Sequence, residues 1–299
     1  MSRHDDDTVE ISRPESFSDK FFAPPTPRFE VRAAGGTHVG KVRKNNEDNY
    51  AVVRRTRSQE VLDTSLPSKP VTPLIDEGYA LIVADGIGGS AFGEFASRLA
   101  VETMFELAGR ATSWVMRMTE LDDQQIRERV AAYAAEIQKV FRGYSEINPD
   151  MAHMGTTWTS ACIIPPDAVI VHIGDSRAFL YRDQKLERLT RDHTLGQEMA
   201  EAGMPDDEVQ RYRHILVNSL QGTADEITAD VSHVRLQVGD RLLVCSDGLT
   251  DMVDEDAIAQ ILQSQTEPQP TCDRLIESAL EAGGRDNVTV VLCHIASAE

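Results

Sequence analysis

The chain has only four cysteines, Cys162, Cys245, Cys272 and Cys293. None falls in a C-x-x-C pair, and three lie in strand-like apolar runs. That pattern predicts buried, reduced thiols in a cytoplasmic protein rather than a disulfide framework or a zinc site. No apolar run approaches the roughly 20 residues that a membrane-spanning helix needs, so no membrane association is expected. The N-terminus, MSRHDDDTVEISRPESFSDK, lacks the apolar stretch of a signal peptide. Basic residues are scarce beside acidic ones: Lys and Arg number 30 against 49 Asp and Glu, a formal net charge of −19. Without a basic excess to neutralise phosphates, the chain is not expected to bind nucleic acid. An acidic excess suits a protein that holds cations with carboxylates.

What is present is a globular composition. The 299 residues are 41% hydrophobic and 26% charged, which is enough to build a substantial core. Residues 1–28 mix Asp, Ser, Arg and Pro without a sustained period and are expected to form a disordered acidic tail. The stretch 54–77, with Pro67, Pro70 and Pro73, reads as a surface insertion between two strands. Strand-like runs occupy Tyr79–Ala84, Thr157–Ile164, Ala168–Ile173, Ala178–Arg182, Arg241–Cys245 and Val288–Ile295. A helix is predicted from near Gly93, burying Ala100, Met104, Leu107 and Ala108. A second, capped by Asp122 or Asp123, places Ile126, Val130, Tyr133, Ile137 and Phe141 on one face. Shorter helices are predicted at Leu195–Ala202, Asp256–Gln263 and Cys272–Ala282. Strands follow strands and helices are grouped, which points to an α+β fold.

Acidic motifs fall where strands end or begin. Asn46-Glu47-Asp48 precedes the run Asn49–Val53. Asp85-Gly86-Ile87-Gly88-Gly89 follows YALIVA, Gly174-Asp175-Ser176-Arg177 follows AVIVHI, and Ser246-Asp247-Gly248 follows RLLVC. Gly284-Arg285-Asp286-Asn287 precedes VTVVLCHI. An Asp next to an apolar strand sits at the rim of a sheet, and flanking glycines let backbone and water approach. Carboxylates gathered at one rim repel each other unless cations lie between them. Mg²⁺ and Mn²⁺ favour such oxygen ligands, and paired ions are a standard device for phosphate-ester hydrolysis. Any single Asp-Gly is an ordinary turn pair; the set is not.

These stretches, in this order, resemble the metal-dependent protein phosphatase family of the protein phosphatase 2C type, in its bacterial form. The matching segments are GKVRKNNED at 40–48, DGIGG with Gly93-Glu94-Phe95-Ala96-Ser97, Met154-Gly155-Thr156-Thr157, GDSR at 174–177, Asp192-His193, SDGL at 246–249 and GRDNVTVV at 284–291. The resemblance implies a catalytic domain over 29–297 with a four-layer αββα sandwich of two antiparallel sheets flanked by helices. It implies a flap over 194–221 and hydrolysis of phosphoserine and phosphothreonine in proteins, substrates of a Ser/Thr kinase, by a metal-activated water. It implies two core Mn²⁺ or Mg²⁺ ions and a third, weaker one. By the same resemblance, Asp85 bridges the core ions, with the Gly86 carbonyl on one and Asp247 and Asp286 on the other. Glu47 and Asp48 act through waters, Asp175 and Asp247 hold the third ion with Asp251 assisting, and Arg43 binds the substrate phosphate. Asn287 is expected to orient Asp286, and Asp192-His193 to be a structural turn.

One departure concerns proton donation. Many eukaryotic members have a histidine after the first Asp-Gly, and here that residue is Ile87. Two other readings compete. A GDS-type esterase would use Ser176 as nucleophile with Asp230 and His233, but would leave Asp85, Asp247 and Asp286 without a role. A catalytically dead binding module would show a lost metal ligand, and none is missing.

Overall fold

The computed structural model describes residues 29–59, 74–88, 91–110, 122–224 and 226–298. The tail 1–28 and the central part of the expected insertion, 60–73, lie outside the described residues. In chain order the first half comprises β1 (Phe29–His38), β2 (Asn49–Gln59), β3 (Leu74–Ala84), β4 (Gly86–Ile87), α1 (Ala91–Arg110), α2 (Asp123–Ile147), β5 (Gly155–Thr156), β6 (Trp158–Ile164) and β7 (Asp167–Ile173). The second half comprises β8 (Arg177–Arg182), β9 (Lys185–Arg188), α3 (Leu195–Glu201), α4 (Asp206–Val209), β10 (Leu220–Gln221), β11 (Asp230–Arg235), β12 (Arg241–Cys245), α5 (Asp247–Thr250), α6 (Glu255–Ser264), α7 (Pro268–Glu281) and β13 (Val288–Ser297).

Two five-stranded antiparallel sheets carry the fold, ordered β1-β13-β12-β8-β9 and β11-β7-β6-β3-β2. Between them lies an apolar layer that includes Leu81, Val83, Ile163, Ile170, Leu242, Val244 and Val291. The outer face of the first sheet packs on α6 and α7 through Phe179, Leu243, Ile258, Leu262 and Leu275. The outer face of the second packs on α1 and α2 through Ile82, Ala100, Ile137, Phe141 and Trp158. The layers therefore stack α, β, β, α, and the central strands are apolar on both faces. Fully burying one such side chain contributes roughly 1.5–3 kcal/mol. A third, three-stranded sheet, β10-β5-β4, was not expected; it joins residues 86–87, 155–156 and 220–221.

Local chemistry explains the helix boundaries. Asp122 accepts a hydrogen bond from the Gln125 amide at 2.8 Å and the Gln125 side chain accepts one from the Asp122 amide at 3.2 Å. This reciprocal box starts α2 and makes Asp122, not Asp123, the cap. The buried stripe of α2 includes Ile126, Val130, Ala134, Ile137 and Phe141, while Tyr133 is only partly buried. Helix α7 begins at Pro268, four residues before the predicted start, because proline fits the first helical turn, where no amide donor is needed. The two ends of the expected insertion 54–77 are strand. Strands β2 and β3 continue to Gln59 and from Leu74, with Arg57 opposite Asp76 and Gln59 opposite Leu74. Strand β2 is the edge of its sheet and residues 74–77 of β3 pair with β2 alone; such segments carry charge, and that hid the strand signal in 54–59 and 74–77.

Candidate active site

The strand ends meet at one end of the sandwich. Asp85 follows β3, Asp175 follows β7, Asp247 follows β12 and Asp286 precedes β13, and all four line one cleft of about 910 Å³. Arg43, Glu47, Gly86, Ile87 and Asp251 line the same cleft. Asp48 does not reach the wall. It lies beneath, buried, with Oδ2 accepting from Ser246 Oγ at 2.8 Å and Thr289 Oγ1 at 2.6 Å. The sequence motifs thus converge, and each carboxylate is set by the strand it abuts.

The backbone around them is clamped. The Asp85 amide donates to Thr157 Oγ1 at 3.0 Å, and its carbonyl accepts from Thr156 Oγ1 at 2.8 Å and the Thr157 amide at 2.9 Å. At Gly86 a Cβ would fall on the Gly93 backbone and within 2.6 Å of the Glu47 carbonyl, so only glycine lets α1 start against this turn. Gly174 has φ +108°, and a Cβ there would lie 2.6 Å from Thr157 Cγ2. That conformation turns Asp175 into the cleft.

The electrostatics of the cluster are unbalanced. Burial, reinforced by the neighbouring carboxylates, pushes Asp85 and Asp247 well above the usual carboxylate range. Burial likewise raises Asp175 to about 7 and Asp48 to about 6. Asp48 Oδ1 is buried without a hydrogen-bond partner. An orphaned carboxylate oxygen among like charges is relieved either by a proton or by a nearby positive charge. The donor set is all oxygen, which fits hard divalent cations such as Mg²⁺ or Mn²⁺. The nearest compensating group is Arg43, whose Nη2 lies 2.5 Å from Asp286 Oδ2 and whose own protonation is reinforced by that contact.

Three expectations about neighbouring residues meet different outcomes. Asn287 orients Asp286 through its backbone, with its amide 2.8 Å from Asp286 Oδ1. Its side chain does something else: it accepts from the Glu47 amide at 2.8 Å and donates to the Val39 and Asn45 carbonyls at 2.9 Å, knitting segment 39–47 to the start of β13. Asp192 holds both Arg177 and Arg188, and His193 Nε2 lies 3.1 Å from Asp230 Oδ2, so this pair is structural. Ser176 is fully buried, with its hydroxyl 2.8 Å from that of Thr157. His233 pairs with Asp167 at 3.1 Å, and no hydrogen bond links it to Ser176. The esterase arrangement is not assembled.

The sequence reading missed residues that also line the cleft. Lys44, Asn45 and Arg285 lie within the recognised motifs but were given no role there, and Arg213 and His214 enter from the 194–221 segment. Beyond the helix predicted at Leu195–Ala202 no periodicity marks that segment, so nothing in the sequence singled out His214.

Comparison with known proteins places the architecture. A family model described as protein phosphatase 2C matches residues 74–281. Protein phosphatase PhpP of Streptococcus pneumoniae is 35% identical over 265 residues, which span 86% of this chain and 94% of that protein. Serine/threonine phosphatase stp of Listeria monocytogenes is 31% identical over 258 residues, spanning 86% of this chain and 92% of that one. The crystal structure of the catalytic domain of the serine/threonine protein phosphatase PstP, in complex with two manganese ions, superposes with a TM-score of 0.68 at 30% identity, covering 90% of this chain and 100% of that chain. The matched segment runs from the strand leading into Asp85 to the helix just before Asp286, and the chain belongs to the protein phosphatase 2C family.

Proposed function

We propose that this protein is a metal-dependent serine/threonine protein phosphatase whose cleft hydrolyses phosphoserine and phosphothreonine in proteins phosphorylated by a Ser/Thr kinase. The observation that carries this reading is the convergence of six strand-end and turn carboxylates on one cleft, with the orphaned oxygen of Asp48 behind them. Asp85 and the Gly86 carbonyl would hold the core cations together with Asp247 and Asp286. Glu47 and Asp48 would orient water around them, and Asp175, Asp247 and Asp251 would hold a third ion. When bound, the cations supply charge neutralisation and an acidified water at neutral pH.

The chain's own groups do the positioning. Arg43 stands at the cleft beside Asp286. From there its guanidinium would bind a phosphate dianion, a charge-assisted and bidentate contact. The clamp on the Asp85 backbone keeps this carboxylate from relaxing away as charge in the cleft changes. Ile87 on the cleft wall offers no proton to the leaving group.

Turnover of a phosphothreonine peptide and of p-nitrophenyl phosphate with Mn²⁺ or Mg²⁺, abolished by EDTA, tests this function. Full turnover in chelator would falsify it.

A further inference from the structure

The flap contributes one group that no motif announced. His214 Nδ1 lies 3.6 Å from Asp251 Oδ2, and the ligand atoms of His214, Asp247 and Asp251 all lie within 4.8 Å of one another. In an octahedron with bonds of about 2.1 Å, neighbouring ligands are about 3 Å apart and opposite ones about 4.2 Å. Small side-chain rotations close the observed set around one ion. Asp247 and Asp251 are placed for this by a single helical turn, since the Asp251 amide bonds the Asp247 carbonyl at 2.8 Å and the two carboxylates share a face.

His214 is exposed, yet its backbone is anchored. The Leu195 amide bonds the Ile215 carbonyl at 2.8 Å, the Val217 amide bonds the His193 carbonyl at 2.9 Å, and Thr194 bridges to Leu216. Gly196 packs so closely that a Cβ there would lie 2.8 Å from Arg213 Cα. There is also room for an ion and its waters. A cavity of about 240 Å³ opens beside the main cleft, and both spaces are bounded by Asp175, His214, Asp247 and Asp251.

We propose that His214 is a nitrogen ligand to the outermost cation, so that this ion ties the flap to the helical turn Asp247–Asp251 and is selected for Mn²⁺ over Mg²⁺. The inference rests on the phosphatase reading, because Asp247 is shared with the core cations. Imidazole suits borderline transition-metal ions, whereas Mg²⁺ favours oxygen ligands and keeps its waters. The alternative for the same geometry is a plain His214–Asp251 ion pair that needs no metal.

Mn²⁺ titration of the full chain, with pulsed EPR on the saturated protein, separates these. The expected result is two tighter sites and one weaker site, with ¹⁴N modulation from a coordinated imidazole. His214→Ala should weaken only the last site, at least tenfold, and remove the ¹⁴N signal. Arg213→Ala, which removes a neighbouring flap cation, should leave both in place. Mg²⁺ titrations of the parent chain and of His214→Ala should coincide. Absence of ¹⁴N coupling, its persistence in His214→Ala, or activity lost in His214→Ala with unchanged Mn²⁺ binding would each overturn the assignment while leaving the phosphatase reading intact. A chain that binds no Mn²⁺ at all would overturn both.

Discussion

One wall of the cleft is made of strand ends and the other of segment 194–221, and they hold their polar groups in opposite ways. On the first wall Asp175 is buried, Asp85 and Asp247 are half-buried, and the turns are tied by Thr156, Thr157 and Asn287. On the second, Arg213 and His214 are exposed, the helices are short, and Met204, Tyr212, Ile215 and Val217 leave apolar surface open. The difference follows from the tasks. Charge placement for phosphoryl chemistry tolerates only about 0.5 Å of error and therefore sits on rigid elements. A surface that must meet varied protein substrates is better served by an exposed segment.

The largest effects should come from the strand-end wall. Asp85→Asn and Asp247→Asn should each lower kcat on p-nitrophenyl phosphate by on the order of 10²-fold or more, with Asp85→Asn the worse and Asp175→Asn milder. If Arg213→Ala costs as much as Asp247→Asn, the contrast between the walls fails.

The strand-end carboxylates should also govern the pH dependence of the cation-free protein. Their folded-state pKa values lie above the ordinary carboxylate value, so the folded state binds more protons and stability falls as pH rises through this window. His172, lowered to about 4 by burial, acts in the opposite sense only below its ordinary value near 6.5. Between pH 6.5 and 8, Tm of the EDTA-treated chain should therefore decrease as pH rises, and saturating Mn²⁺ should remove the decrease. A Tm that rises with pH in chelator would contradict the charge imbalance.

Arg43→Ala should chiefly raise KM for phosphopeptides, with a loss of roughly 1.5–3 kcal/mol in phosphate binding and no loss of Mn²⁺ binding. Unchanged kinetics would reduce Arg43 to a partner of Asp286. Ser176→Ala should keep phosphatase activity within about tenfold, and its main effect should be a stability loss of about 1–3 kcal/mol from the Thr157 hydroxyl, left with the Asp85 amide but without its Ser176 partner, read by thermal melting. Abolished activity in a folded Ser176→Ala protein would reopen the esterase assignment.

The smallest effect belongs to the flap. Val217→Ser should leave p-nitrophenyl phosphate turnover unchanged and lower kcat/KM for a phosphoprotein a few-fold, because only a large substrate touches that surface. Equal effects on both substrates would mean that the flap shapes the chemistry itself.

The legible parts of the fold were those whose signal is local. The apolar runs ending in Asp85, Asp175 and Asp247 marked both the strands and the rim, because period, turn residue and charge coincide there. The capping pair Asp122 and Gln125 and the stripe from Ile126 to Phe141 marked α2 in the same way. The charged ends of β2 and β3 were read as an insertion, because their pairing is with each other and not with an apolar core. The small sheet β10-β5-β4 was also invisible, since its strands are two residues long and exist only through contacts between distant segments.

The sequence by itself determined the acidic character, the ordered acidic motifs and the expectation of cation-dependent phosphate chemistry, because those depend on residue type and on position relative to apolar runs. The tertiary structure decided which carboxylates face the cleft and which, like Asp48, lie behind it. It also decided that Ser176 is locked to Thr157, that the Asn287 side chain joins segment 39–47 to β13, and that His214 stands beside Asp247 and Asp251. Each of these depends on distances between groups far apart in the chain, and such distances are fixed only when the two sheets and the flap have packed.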